Sequence, residues 1–517
     1  MTVKLYDFQQ ELVDKLGKPN IPSRLIGDEM GTGKTYESLA VDKVLRQSSG
    51  TTSWAPRTLI VCPLSVFNHW AAHLRAMQPN ATVYIIDRKN RPAFIRALQS
   101  GGYTHYICHW EALRLKDTKP AIRRVHWFHV IADEVHRAGN RKAQQTNALK
   151  ALTTRYKTGA SGSAATKVEG LWSVLNWLYP REWNSYWRYV NTYLEMETIC
   201  RECGGKSLIE GGAPVHVKGC TQQGGSFRKI TGVHKAAMPS LHRYMEPYYM
   251  RRLKEDVLPD LPEKYYTQID VDLYPRQRKA YDQMRKHMLA WVGEQEDQEV
   301  SAPVVIAQLV RLQQFALASP DVTYKKIIRR KERERALLEG RDPIPEEVMK
   351  IVLEEPSSKL DALEDFADDL GDEPLVVFTQ SRSMVDLVAA RLRRKAISVG
   401  RYRGEIPDAE RDQSLVGFQR GDIQVFVGTI AAGGESIELQ RSSTMVFLDR
   451  HWSPFRNKQA EDREHRDGQK NAVHIVDIVA RNTVDLGRMQ QIAVNLRHLK
   501  MLLGDKTDPE QYLEVVA

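Results

Sequence analysis

The sharpest chemistry in the chain lies near its start, in Gly27-Asp28-Glu29-Met30-Gly31-Thr32-Gly33-Lys34-Thr35. Glycines there let backbone N–H groups turn inward around phosphate oxygens, and a helix opening at Lys34 presents its positive end to them. Gly31, Thr32 and Gly33 form the cradle, Lys34 can reach the β- and γ-phosphates of ATP, and the Thr35 hydroxyl can ligate Mg²⁺. Asp28 stands where the strict GxxxxGK[ST] pattern has its first glycine, so only the shorter GxGKT core survives. A second site candidate is Val130-Ile131-Ala132-Asp133-Glu134-Val135-His136. Carboxylates closing an apolar run are costly unless a cation or donor meets them. Asp133 would hold Mg²⁺ through water and Glu134 would polarise the attacking water. A lone aspartate in such a place is commonly a helix N-cap; the phosphate loop upstream favours the metal role. The third candidate is Gln459 to Gln469, where Arg463 and Arg466 are spaced to share one face of a helix. Alone, that mixed-charge stretch reads as a solvated surface; beside a nucleotide its guanidinium groups could stabilise charge developing on the γ-phosphate.

Cys200 and Cys203, followed by His216 and Cys220, have the spacing of a four-ligand zinc site, with His234 as a substitute ligand. Zinc would fix a glycine-rich segment too polar to build its own core, and its role would be structural, because four protein ligands leave no open position. A redox CxxC and a plain flexible loop stand beside that reading. Arg201, Lys206, Lys218, Arg228 and Lys229 could touch a polyanion or could simply be solvated.

Short apolar runs must position these groups. Leu59–Cys62, His105–Cys108 and His129–Ala132 recur in the first half; Leu375–Phe378, Val425–Val427, Met445–Leu448 and His474–Val476 recur in the second. Each is too short for a helix and reads as a strand buried on both faces, with helical stretches between, which predicts βαβ units and parallel sheets. Glu197 to His234 breaks the rhythm as an insertion. Lys325 to Glu347 is a charged run expected to be an exposed helix ending near Asp342-Pro343. A linker is expected at Glu354–Ser358.

A length of 517 residues exceeds what one core holds, so two or three domains are expected. No apolar run is long enough to span a bilayer, so no membrane partner is expected, and Met1 to Gln10 lacks the core of a secretory signal. Five cysteines form no disulfide framework and fit a reducing compartment. The net charge of +10 makes a polyanion partner plausible without requiring one.

Taken in order, these pieces resemble the superfamily 2 helicase-like ATPases of the switch/sucrose-nonfermenting (Snf-type) family. Asp28–Thr35 is similar to the family's DEMGxGKT, and Asp133–His136 to its DEAH box with Val135 for alanine. Leu5–Gln9 looks like the adenine-reading Q motif, with Gln9 as reader, and Thr58–Trp70 resembles motif Ia. Most specific is Arg251-Arg252-Leu253-Lys254-Glu255-Asp256-Val257-Leu258 with Leu261-Pro262-Glu263-Lys264, followed by Gln277 and Tyr281. In the second half Ser358–Leu360, Val377–Gln380, Thr429–Gly434, Asp449–Pro454, Gln459–Gln469 and Asn482–Asp485 follow in the family's order.

The resemblance implies an α/β fold of two RecA-like parallel-sheet lobes with helical insertions: an ATP-binding lobe at 1–250 (insertion 197–234), a linker with helical protrusions at 251–355, and a helicase lobe at 356–517. It implies an ATPase that uses ATP and Mg²⁺, with Lys34, Glu134, Gln459, Arg463 and Arg466 in catalysis. ATP would be clamped between the lobes, and the partner would be double-stranded DNA gripped without sequence preference. Ser65, Asn68 and Thr429 are the implied DNA contacts; Trp70 and Trp452 read as packing residues. A strand-separating helicase and an ATP-switched binding protein are the alternatives. Three departures stand out. Ser161-Gly162-Ser163-Ala164 replaces TGTP, Gly434–Leu439 carries Glu435 and Glu438 in motif V, and Asp467 replaces an isoleucine. The engine fills the chain, so a bacterial or phage-infected cytoplasm, or recruitment by separate subunits, is expected; a eukaryotic source would make it nuclear.

Overall fold

A computed structural model describes residues 4–50, 56–87, 91–164, 167–207, 212–223, 225–294, 302–328, 330–433 and 437–505. The chain forms two compact units. The described residues of the first fall within 4–262, 453–470 and 492–505; those of the second fall within 263–452 and 471–491. Residues 453–470 thus pack within the first unit although they follow most of the second in sequence.

In the first unit the strands are β1 (Ser23–Ile26), β2 (Thr58–Cys62), β3 (Val83–Ile86), β4 (His105–His109), β5 (Trp127–Asp133), β6 (Thr154–Ala160), β7 (Leu194–Cys200), β8 (Ser226–Val233) and β9 (Tyr249–Met250). Seven of them form one sheet in the order β3-β4-β2-β5-β6-β1-β9, parallel throughout. Every residue of β1 and β2 is buried, as expected where helices cover both faces. Successive side chains point to opposite faces. Leu25, Leu59, Val61 and Val130 therefore enter one core, and Ile26, Ile60, Cys62 and Ile131 enter the other.

Sheet order decides which loops meet. β5, β6 and β1 are neighbours, so the segments leaving their carboxyl ends converge: Asp133 and Glu134 after β5, Ser161 after β6, and the glycine loop after β1. Ligands of open α/β sheets bind at that edge. At the opposite end Asp42 of the helix Lys34–Ser48 is fully buried. It accepts hydrogen bonds from Arg46 Nε (2.7 Å) and Thr58 Oγ1 (2.7 Å) and lies 3.0 Å from His105 Nε2 and 2.8 Å from His129 Nδ1.

The second unit holds β10 (Lys264–Val271), β11 (Ser319–Ile327), β12 (Glu346–Glu354), β13 (Leu375–Thr379), β14 (Val399–Tyr402), β15 (Val425–Thr429), β16 (Thr444–Phe447) and β17 (Val473–Ala480). Six form a parallel sheet in the order β10-β17-β16-β13-β15-β14. Each apolar run read as a strand falls on a strand of these two sheets, with Leu448 alone lying one residue past the end of its strand. At the carboxyl edge of the second, Asp449 accepts hydrogen bonds from Thr379 Oγ1 (2.6 Å) and Gln380 N (2.9 Å). Behind it Arg450 pairs with Asp477 at 2.6 Å.

β7–β8 and β11–β12 are antiparallel ribbons. The second corrects one expectation. The charged run Lys325–Glu347 is not a single helix: Lys325 to Ile327 close β11, the helix is confined to Arg330–Glu339, and Glu346 opens β12. Cross-strand pairing of Lys326 with Glu347 and Ile327 with Glu346 accounts for the ends. Local charge pattern carries no information about such a distant strand partner. Among the described residues no helix is long and apolar enough to cross a membrane.

Candidate nucleotide site and Cys/His cluster

Gly31 and Gly33 adopt φ of +86° and +90°, the left-handed region that favours glycine. A Cβ on Gly33 would also lie 2.4 Å from Gln9 Nε2. Both glycines are thus required by the backbone, and a side chain at Gly33 would also displace the Gln9 amide. Lys34 opens its helix and donates to the Glu29 carbonyl at 2.8 Å, and the Thr32 hydroxyl donates to the same oxygen at 2.8 Å. A phosphate oxygen is a stronger partner for an ammonium than a neutral carbonyl, so the lysine is placed to exchange one for the other. Thr35 follows in the first turn. Gln9, on the helix Asp7–Leu16, donates from Nε2 to Thr32 O at 2.9 Å and accepts from Tyr6 N at 3.1 Å. It braces the loop directly.

Asp133 ends β5 with its carboxylate held by Trp70 Nε1 (2.9 Å) and Glu134 N (2.9 Å). Burial pushes this carboxyl up, and the neighbouring Glu134 charge adds to the push. A divalent cation is what such a group lacks, so Asp133 suits a Mg²⁺ role. Trp70 therefore packs, as expected, and also orients this acid. Glu134 sits at φ +50°, a strained conformation for a non-glycine residue and one concentrated at functional sites. Burial raises its pKa, but the hydrogen-bonded His136, Lys34 and Arg463 outweigh that and hold it at about 2. It is an ionised acceptor at neutral pH.

The altered third motif keeps a hydroxyl in contact with the acidic motif. Ser161 Oγ lies 2.9 Å from His136 Nδ1 and 3.3 Å from Glu134 Oε2, and it donates to Ser163 O at 2.7 Å. His136 Nδ1 is itself 3.1 Å from Glu134 Oε2. A serine hydroxyl thus joins the acidic motif to the segment after β6 without the usual proline.

Residues 453–470 complete the first unit at this edge. Gln459 Nε2 donates to Glu134 Oε1 at 3.3 Å, Lys458 pairs with Glu29 at 2.5 Å, and a Cβ on Gly31 would lie 3.6 Å from Arg466 Cβ. One detail corrects the sequence reading. The helix here is Pro454–Glu461, so Arg463 and Arg466 lie in the turns beyond it and do not share a helical face. Asp462, at the helix end, pairs with Lys254 at 2.7 Å, and Lys254 also binds the His465 carbonyl at 2.6 Å. Capture of the chain from outside replaces another helical turn.

Sequence reasoning identified Arg251, Arg252 and Lys254 only as a family marker. In the fold they grip the phosphate loop. Asp28 is fully buried and accepts from Arg252 N (3.1 Å) and Nε (2.9 Å), which explains an aspartate at the first glycine position. Arg252 also reaches Glu37 (3.2 Å) and the Phe8 carbonyl. Arg251 binds the carbonyls of Gly27 (2.6 Å) and Gly162 (2.8 Å) and pairs with Asp505. The one available signal was compositional: a cluster of cations at 251–254 and, more than two hundred residues earlier, a loop carrying two carboxylates.

Cys200, Cys203, His216 and Cys220 converge at the end of the β7–β8 ribbon, with all four ligand atoms within 4.8 Å of one another. The separations are 3.8 Å for Cys200–Cys220, 3.7 Å for Cys203–His216 and 3.4 Å for Cys220–His216. Bonds of zinc length place tetrahedral donors about 3.3–3.8 Å apart, so the set fits that ion. His234, the alternative ligand, is outside the cluster; it precedes the turn Lys235–Ala237.

Ser65 and Asn68 are exposed at the entry to the helix Phe67–Met77. Thr429, in the second unit, is buried, and its hydroxyl accepts from Ala432 N at 3.4 Å. Of the motif V reading, Gly434, Glu435 and Ser436 lie outside the described residues. Asp467 accepts from the Tyr6 hydroxyl at 3.0 Å in an exposed contact.

Residues 12–318 match the family described as SNF2-related domain, and residues 358–468 match the helicase conserved C-terminal domain. The chromodomain-helicase-DNA-binding protein 1-like of Danio rerio is 23% identical over 89% of this chain and 40% of its own length. The SWI/SNF chromatin-remodeling complex subunit snf22 of Schizosaccharomyces pombe is 26% identical over 89% of this chain and 26% of its own. The chain therefore spans two fifths or less of these relatives. Both are eukaryotic, and the bacterial or phage setting expected from the sequence has no support among them. The Sulfolobus solfataricus SWI2/SNF2 ATPase core solved in complex with dsDNA is 20% identical, with a TM-score of 0.41, covering 100% of this chain and 97% of that one.

Proposed function

This chain belongs to the SNF2-related family, and from that premise we propose that it is a DNA-dependent ATPase that moves along double-stranded DNA and remodels protein–DNA or branched-DNA structures. One observation carries the reading. Lys34, Asp133, Glu134 and Gln459 meet at the carboxyl edge of the first sheet, with Arg466 beside Gly31. In this reading Gly31, Thr32, Gly33 and Lys34 take the phosphates, Thr35 and Asp133 hold Mg²⁺, and Gln9 steadies the loop beneath the base. Glu134 orients the attacking water, and Gln459, Arg463 and Arg466 meet the charge that develops on the γ-phosphate.

Ser65, Asn68 and Thr429 are proposed to meet the DNA backbone. Such contacts position without reading sequence and weaken with salt. The Cys200–Cys203–His216–Cys220 cluster is proposed to hold a structural Zn²⁺ that pins the ribbon. Nuclear residence, and recruitment by separate subunits, go with the proposal for a eukaryotic source.

The ATPase rate of the full chain on duplex DNA, single-stranded DNA, forked DNA and RNA tests the proposal. Stimulation by duplex together with triplex displacement is expected. Strand displacement of a forked substrate would point to a strand-separating helicase. Nucleotide binding without stimulated turnover would point to a switch.

A further inference from the structure

Lys254 occupies a closely constrained position beside the phosphate loop. It is 3% exposed. An ammonium so placed is costly unless paired, and two segments supply partners to this residue. On the phosphate-loop side, the Lys254 backbone N–H donates to Glu29 Oε2 at 2.8 Å, and the side chain runs alongside Gly31, where an added Cβ would meet Lys254 Cε at 3.1 Å. On the other side its ammonium pairs with Asp462 Oδ1 at 2.7 Å and donates to His465 O at 2.6 Å. Those two residues directly precede Arg463 and Arg466, respectively, in the turns that follow the helix Pro454–Glu461.

Glu29 makes the link two-stranded. One of its carboxylate oxygens takes the Lys254 N–H, and the other takes Lys458 at 2.5 Å, from the helix that ends just before the arginines. Its backbone carbonyl meanwhile holds Lys34 at 2.8 Å. Burial raises the Glu29 pKa, but Lys458 and Lys254 bring the carboxyl to about 2, so it stays charged.

We infer that Lys254 is a positioning residue: it fastens the turn carrying Arg463 and Arg466 to the phosphate loop through Asp462 and the His465 carbonyl, and so sets where those guanidinium groups stand against the γ-phosphate. The inference rests on the proposed ATPase reading. It predicts a particular division of labour. Lys34 and the glycines bind nucleotide without Lys254, whereas the transition state needs the arginines in register. Misplacing a catalytic group by about 1 Å costs on the order of 10²-fold in rate.

The test uses the full chain with duplex DNA. Lys254→Met keeps the aliphatic stem and removes the charge, Lys254→Arg keeps the charge, and Asp462→Asn weakens the opposite partner. Affinity for Mg²⁺ and a fluorescent ATP analogue is read at equilibrium, kcat by phosphate release, and folding by the thermal midpoint. Lys254→Met should bind nucleotide within roughly 3-fold of wild type and lose about 10²-fold in kcat. Lys254→Arg should recover most of that loss. Lys254→Met combined with Asp462→Asn should be no worse than Lys254→Met alone, since both cut the same tie. Parallel loss of affinity and midpoint, or fully additive losses in kcat, would overturn the inference in favour of a merely structural lysine. Turnover unchanged in Lys254→Met while wild type hydrolyses ATP removes this inference and leaves the ATPase reading standing. A wild-type protein without turnover removes both.

Discussion

The nucleotide site and the Cys/His ribbon solve the same problem in opposite ways. The ribbon gathers its four ligands from twenty-one consecutive positions, Cys200 to Cys220, and among the described residues nothing outside it supplies one. The nucleotide site is drawn from Gln9, the 27–35 loop, Asp133 to His136, Ser161, Arg251 to Lys254 and the 453–470 segment. Charge pairs with a buried carboxylate hold those pieces together: Asp28 with Arg252, Glu29 with Lys458, and Asp462 with Lys254. A local cluster needs one ion to be finished. A site assembled from distant segments needs its charges matched one by one, because each unpaired buried ion is costly.

That contrast can be broken by making each site fail alone. The largest effect is expected for Lys34→Ala. ATP turnover should fall by roughly 10²–10³-fold, while zinc content measured by atomic emission stays at the wild-type value. Loss of zinc from that variant would mean the two sites are coupled. Cys203→Ser is the reciprocal change. It should release the ion and open the ribbon to protease between β7 and β8, with stimulated ATPase kept within about 3-fold, because exposed local segments open without the rest.

Asp28→Asn removes one of the anions at Arg252, leaving Glu37 at 3.2 Å, and should destabilise the first unit by about 1–3 kcal/mol, read as a lower urea midpoint for its transition. An unchanged midpoint would show that the Arg252 contacts are not what holds the loop. The smallest effect concerns pH. Burial lowers His129 to about 4, against the hydrogen bond and charge of Asp42, which act to raise it. Arg24 and Arg46 work in the same direction as burial. Unfolded histidine takes up its proton near 6.5, so the unfolded state binds it first. Stability should decline as pH falls from about 6.5 to 4 and level off below that. In His129→Gln this part of the slope in thermal midpoint against pH should disappear.

Legibility followed the same divide. The strands were readable because burial on both faces writes an unbroken apolar run into the sequence, as in Leu59–Cys62. The phosphate loop and the Cys/His cluster were readable because their geometry is fixed by neighbours a few residues apart. What was not readable is whatever depends on a distant partner. Lys325–Ile327 and Glu346–Glu347 look helical by charge, yet each strand finds its partner in the other. Arg463 and Arg466 are spaced for a helix, yet the chain leaves it at Glu461 to meet Lys254. The RRxK segment was recognised as a signature with no physical role attached, because the role belongs to Asp28, Glu29 and Asp462 as much as to the cations.

The central claim is that Glu134, held ionised among Lys34, His136 and Gln459, directs water at a nucleotide bound in the first unit. It is tested most directly by phosphate release with saturating ATP and Mg²⁺, with and without duplex DNA, for wild type and Glu134→Gln at equal nucleotide occupancy. The account predicts DNA-stimulated turnover in wild type and a loss of about 10²–10⁴-fold in Glu134→Gln with binding retained. Equal rates in the two proteins would contradict it.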